Sequence, residues 1–177
     1  MHMPAVMTLD DLTAMNASDV NGHRYEMSPQ GVLSVMPPAD SEHAKIATRI
    51  MGWFILAGWP ADQVLQVAGL RIATGGGVGG RIPDLTIWAK AAPSGVWLPV
   101  DDLLLAIEIV SPGSESMDEF TKLSEYASAG IQRYWVVDRD TAQTVTLHRL
   151  AEDGSYSTPV KMPLSWLLRT EPSEHLD

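Results

Sequence analysis

The chain reads as an α/β protein: a mixed, strongly curved β-sheet flanked by helices and led by an N-terminal β-hairpin. Two observations predict this class. Apolar β-type runs stand at Ile82–Trp88, Leu103–Val110 and Tyr134–Asp138, the pattern of strands buried in a sheet. Around them lie two stretches, 41–57 and 117–129, whose apolar residues recur every three or four positions. That is the period of helices that pack one side against a sheet.

Taken in order, Thr8-Leu9-Asp10-Asp11 has the form of a capping box and opens a short helix to about Met15. Asn16 to Asn21, small and polar, reads as a loop. His23–Met27 and Val32–Met36 are strands joined by the turn residues Ser28-Pro29-Gln30-Gly31. Glu26 falls near the tip of this hairpin, where position alone makes it a solvent-facing charge on an edge strand. Asp40 or Ser41 caps the long helix, whose apolar side carries Ile46, Ile50, Phe54 and Ala57, with His43 in the first turn. Gly58-Trp59-Pro60 stops it, and Gln63–Thr74 forms one or two strands.

The glycines of the 75–80 stretch include the spacing of a dinucleotide fingerprint. That motif requires a helix straight afterwards to receive the phosphates. Here Arg81-Ile82-Pro83 leads into a strand, so the stretch reads as a flexible loop. Within Ile82–Trp88, alternation puts Asp84, Thr86 and Trp88 on one face, and Pro83 suits a strand start or edge. Lys90–Asp102 is a loop. Leu103–Val110 belongs at the sheet centre, with Glu108 as its single charge. Ser111-Pro112-Gly113-Ser114 breaks that strand. The next helix has Phe120, Leu123 and Ala127 as its apolar side and ends at Gly130. Lys122 and Tyr126, four apart, share a face beside that stripe. Arg133–Asp138 and Thr144–Leu150 are strands, Leu164–Leu168 is a short helix, and the tail frays from Thr170. One domain is expected over residues 1–177, flexible at 1–7 and 170–177.

A hydrophobic content of 45% in 177 residues supports a full core. Cysteine is absent, which removes disulfide frameworks and thiolate zinc sites. No leader-like opening and no run of about 18 apolar residues is visible, so a cytoplasmic protein without a membrane span is expected. The net charge of −10 argues against gripping nucleic acid through a bare basic surface. A bound metal would supply positive charge locally.

Asp84 and Glu108 each stand alone among apolar neighbours. A buried carboxylate is costly unless it is paired, hydrogen-bonded or metal-bound. One reading is that the two share a divalent cation with Lys122 close by. The other makes Glu108 a paired structural acid and Lys122 a surface lysine. Oxygen ligands favour Mg²⁺ or Mn²⁺ over zinc. Such an ion activates water and polarises a phosphoryl oxygen, and an ammonium beside it stabilises developing charge. No nucleophile elbow, helical His pair or phosphate-binding loop offers a competing chemistry.

Tyr25-Glu26-Met27, Gly31-Val32-Leu33, His43, Pro83-Asp84-Leu85, Glu108-Ile109-Val110-Ser111-Pro112, Lys122, Tyr126 and Gly130-Ile131-Gln132-Arg133-Tyr134-Trp135-Val136-Val137-Asp138 occur in this order. In these residues, from about Thr8 to Leu150, the chain closely resembles the Uma2 family (DUF820), restriction endonuclease-like bacterial proteins of the PD-(D/E)XK nuclease superfamily. The resemblance implies a restriction endonuclease-like fold and a Mg²⁺- or Mn²⁺-dependent endonuclease. It implies phosphodiester hydrolysis in nucleic acid, DNA in preference to RNA, by a homodimer. Pro83-Asp84 resembles the superfamily's "PD" and Glu108-Ile109-Val110 its "(D/E)XK". By that correspondence Asp84 and Glu108, with the backbone carbonyl of Ile109, are the metal ligands. Lys122 and Glu26 join them as catalytic residues, and His43 and Tyr126 as substrate-binding candidates. The lysine expected two residues after the acid is Val110, so Lys122 stands as its substitute. The alternative is a weakly active or inactive nuclease-fold protein that binds or regulates, favoured by Val110 and the acidic charge.

Overall fold

The apolar runs become strands and the periodic stretches helices in a computed structural model that describes residues 6–112 and 117–177. Residues 1–5 of the expected flexible terminus, and Gly113 and Ser114 of the expected turn, lie outside the described residues. The order is α1 (Leu9–Ser18), β1 (Arg24–Met27), β2 (Leu33–Met36), α2 (Ser41–Leu56), β3 (Val64–Gln66), β4 (Gly69–Thr74), β5 (Gly77–Arg81), β6 (Leu85–Trp88) and β7 (Trp97–Leu98). It continues with β8 (Leu103–Ile109), α3 (Met117–Ser128), β9 (Arg133–Val137), β10 (Thr144–Arg149), β11 (Val160–Pro163), α4 (Leu164–Leu167) and α5 (Ser173–Leu176).

Two mixed sheets stand where one curved sheet was expected. Their strand orders are β2-β1-β5-β4-β7 and β11-β10-β9-β8-β6-β3. A single long ribbon runs through both. Gln66 lies opposite Leu85 in the larger sheet, and Leu70 opposite Arg81 in the smaller one, four residues further along each strand. The register is thus kept while the ladder breaks between them. Pro83 has no N–H to donate there. Val67 takes a φ of 46°, a left-handed conformation that a β-branched residue seldom adopts. Its N–H holds the carbonyl of Asp84 at 3.1 Å. The break lets the ribbon leave one sheet and enter the other, and Asp84 sits at the bend.

Each face of the six-stranded sheet is covered. On one, α2 buries Ile46, Ile50 and Phe54 against Leu85, Ile87, Leu105, Ile107 and Trp135; each such side chain stabilises the fold by about 1.5–3 kcal/mol when fully buried. Asp40 caps this helix by accepting from the His43 N–H at 2.9 Å. On the other face Tyr126 of α3 and Leu70 and Ile72 of β4 pack with Trp88, Ala106 and Tyr134. The β8 strand, apolar except for Glu108, is central, parallel to β9 and antiparallel to β6.

Several expectations are corrected. Gly77–Gly80 belong to β5 and do not form a flexible loop. Gly79 and Gly80 are glycines because neighbours press in: a Cβ on Gly79 would stand 2.4 Å from the Met27 carbonyl oxygen, and one on Gly80 2.8 Å from the Trp97 ring. The first helix runs to Ser18, and the Asn16 side chain at its end bonds both the N–H and carbonyl of Tyr25 at 2.9 Å. Phe120, expected on the apolar side of α3, is 76% exposed. The tail expected to fray from Thr170 forms α5 and buries Leu176, with the Trp53 indole donating to the Thr170 carbonyl at 2.8 Å.

Replacing Gly79 by Ala forces a methyl group onto backbone, and a loss of about 1–3 kcal/mol is expected in urea unfolding. Gly75→Ala, with nothing within 4 Å of the new Cβ, is expected to stay within about 0.5 kcal/mol of wild type.

Candidate active site

Asp84 and Glu108 meet across the β6–β8 pair. Thr86 lies opposite Ala106 and Leu85 opposite Ile107. Asp84 and Glu108 each lie one step beyond the Leu85–Ile107 pair, Asp84 at the bend that precedes β6 and Glu108 within β8. Asp84 Oδ2 accepts from the Ile109 N–H at 2.7 Å, tying the bend to β8. Its Oδ1 lies 3.0 Å from His43 Nε2 and 3.2 Å from Arg24 Nη2. Burial by itself would raise the Asp84 carboxyl. The His43 ring, the Ile109 N–H and the Arg24 charge outweigh it and hold the group below its ordinary value.

Glu108 has a different set of partners. Its Oε1 takes Lys122 Nζ at 3.0 Å and the Tyr126 hydroxyl at 3.1 Å. Lys122 and Tyr126 share a helix face, as their spacing predicts, and α3 turns that face onto the sheet. Lys122 is 2% exposed, so it is not a surface lysine. Burial pushes the Glu108 carboxyl up to about 8. Lys122 opposes the rise, while the charges of Asp84 and Glu26 add to it. Burial beside Glu108 also raises the Tyr126 phenol well above its ordinary value. Some 13% of the Glu108 side chain stays open, at a recess of about 30 Å³ bounded by Met36, Val110, Glu119 and Lys122.

Glu26 is buried, not a solvent-facing charge, because β1 lies inside its sheet between β2 and β5. Its Oε1 accepts from the Ile82 N–H at 2.8 Å, and its Oε2 lies 3.2 Å from both Lys122 Nζ and Arg81 Nη1. Burial would raise this carboxyl, but Lys122 and Arg81 lower it further than burial lifts it. Arg81 also forks onto Glu125 through Nε at 2.8 Å and Nη2 at 2.9 Å. The sequence-predicted residues are therefore one connected cluster. Asp84 and His43 occupy one end, and Glu108, Lys122, Tyr126 and Glu26 the other. His43 and Tyr126 were expected as substrate-binding groups. Both are buried, and each bonds a carboxylate, which suits them to orienting Asp84 and Glu108.

Arg24, Arg81 and Glu125 were missed. Signals pointed to Arg24 and Glu125, and none to the pairing of Arg81. Arg24 alternates with Glu26 and so shares its strand face, and Glu125 lies three residues after Lys122, on the same side of α3. As to a metal, Asp84 and Glu108 offer the hard oxygen donors that Mg²⁺ or Mn²⁺ prefer. Burial raises the Glu108 carboxyl, and a bound cation would oppose that rise. Among the described residues, no group of three or more His, Asp or Glu is set to hold a metal ion by itself. Any remaining ligands would come from backbone, water or substrate, as is usual for Mg²⁺.

The Uma2 family, described as "putative restriction endonuclease", matches residues 9–174. Among solved structures, the fold is similar to that of "a putative nuclease belonging to DUF820 from Anabaena variabilis". The TM-score is 0.60 at 19% identity, over 89% of this chain and 84% of that one. No curated protein matches the sequence. The restriction endonuclease-like fold expected from the sequence is thus the fold observed.

Lys122→Met leaves Glu26 and Glu108 without their common cation, and an expected cost of about 3–5 kcal/mol is readable in urea unfolding. Glu108 binds its proton more tightly folded than unfolded. Its contribution is therefore full below the ordinary value of 4.5 and fades as pH rises towards about 8. A falling Tm across that window is expected, with a shallower slope in Glu108→Gln; identical slopes would refute the assignment.

Proposed function

The chain belongs to the Uma2 family, and from that premise we propose that it is a metal-dependent endonuclease whose centre is the Asp84–Glu108 pair. The observation that carries the reading is the closeness of these two acids: Asp84 accepts from the N–H of Ile109, the residue after Glu108, and Lys122 Nζ lies 3.0 Å from Glu108. Asp84, Glu108 and the backbone carbonyl of Ile109 would hold Mg²⁺ or Mn²⁺. When bound, such an ion polarises a phosphoryl oxygen and lowers the pKa of water to give a nucleophile.

The remaining residues position and stabilise. Glu26 and Glu108 clamp the Lys122 ammonium between them, where it would stabilise negative charge building on the attacked phosphate. Lys122 thereby takes over from the missing lysine at Val110, reaching the same acid from the neighbouring helix. Glu26 acts through Lys122, and Arg81 and Glu125 act through Glu26. His43 and Arg24 hold Asp84 ionised and oriented, and the Tyr126 hydroxyl orients one oxygen of Glu108. The substrate in this reading is nucleic acid, DNA in preference to RNA. The acting form is a cytoplasmic homodimer.

One set of observations favours a second reading, a nuclease-fold protein that binds or regulates without cutting. Asp84 is already held by three donors, Val110 replaces the expected lysine, and the net charge is −10. Cleavage of plasmid, single-stranded DNA and RNA separates the two. Under Mg²⁺ or Mn²⁺, Asp84→Ala, Glu108→Ala and Lys122→Ala are each expected to lose about a hundredfold or more in rate, and chelation to abolish cutting. Cleavage that survives both carboxylate substitutions would sink the nuclease reading.

A further inference from the structure

A second recess opens beside the first, between α3 and the β9–β10 pair. Glu119, Tyr134 and Val136 line both, so the two are neighbours. The second is far roomier, at about 270 Å³ against 30 Å³. In its wall the rings of Tyr134 and His148 lie stacked, with centroids 5.9 Å apart and planes 18° apart. Phe120, two residues before Lys122 on α3, also lines it, with 76% of its surface exposed.

We propose that this recess receives one unpaired nucleobase of the substrate strand, next to the phosphodiester that a cation at Asp84 and Glu108 would engage. The inference rests on the nuclease reading and narrows its substrate to single-stranded or locally unpaired nucleic acid. The chemistry of the walls selects the base over the phosphate. Glu119 and Asp138 bring carboxylates, which repel a phosphate but accept from the amino groups of bases. Thr146 and His148 add neutral polar groups: burial, and then the Lys161 charge, lower the His148 pKa. An exposed aromatic ring offers the stacking face that unpaired bases use. Lys161, exposed on β11, is the cation of the recess, suited to a flanking phosphate. In a continuous duplex the bases are stacked and paired, and would have to be extruded to enter.

The test is fluorescence anisotropy with Ca²⁺ in place of Mg²⁺ to suppress turnover, run beside Mg²⁺-dependent cleavage of the same strands. The probes are a short mixed-sequence DNA single strand, the same strand made abasic throughout, and its duplex. Wild type is expected to bind the intact single strand about tenfold more tightly than either of the others. Phe120→Ala, an exposed change that leaves the core intact, is expected to erase that preference, and Phe120→Trp to keep it. Equal affinity for intact and abasic strands, or a preference that survives Phe120→Ala, overturns the recess. If cleavage persists in that case, the nuclease reading stands. Base-dependent binding without cleavage supports the recess and removes catalysis. Absence of both binding and cleavage overturns the two together.

Discussion

Four carboxylates packed into one junction between two sheets set the terms for everything around them. Glu26, Asp84, Glu108 and Glu125 meet Arg24, Arg81, Lys122 and the His43 ring there, mostly out of contact with water. Taking an ion out of water costs several kcal/mol unless partners replace its hydration. Three of the acids are well compensated. Glu125 has a two-pronged arginine, Asp84 a backbone N–H with two side-chain partners, and Glu26 a backbone N–H with two cations. Glu108 is the exception. It shares Lys122 with Glu26, and burial, reinforced by the neighbouring acids, pushes its carboxyl up to about 8. That imbalance in one carboxylate is where further positive charge would be most welcome.

The backbone that brings these groups together is the bend in the long ribbon. Arg81, Ile82 and Asp84 fall within four consecutive residues and serve three different partners. They can do so because the segment passes from one sheet to the other. It thereby faces Glu26 on β1 of the smaller sheet and Ile109 on β8 of the larger. Pro83 removes a ladder bond there, and Val67 opposite adopts a conformation costing of order 1–3 kcal/mol for a residue with a side chain. Strain of this kind persists only where surrounding structure over-determines it. Here the surroundings are two covered sheet faces and a hydrogen bond to the Asp84 carbonyl.

Much of this was legible beforehand. The period of three to four residues located α2, and Asp40 was among its named caps. The run apolar but for Glu108 identified β8 as central, and alternation put Asp84, Thr86 and Trp88 on one face. Two lone acids in apolar strands needed partners, and the fold supplies each with several. The glycine run misled for an understandable reason. Its sequence reports only conformational freedom, while the cause is close approach by Met27 and Trp97.

What the chain's own letters determined are the features set by neighbours within a turn or a strand: element type, caps, and which side chains share a face. The fold alone decided which distant groups answer a buried charge. Glu26 looked like an edge charge until β5 closed over β1, and Lys122 like a surface residue until α3 laid it on Glu108. Phe120 looked like core until the same helix turned it outward. The partners of Arg81 lie 44 and 55 residues away along the chain, a separation that no local periodicity encodes. Hydration lost at one strand is replaced by whichever strand or helix packs beside it, and that adjacency is a property of topology.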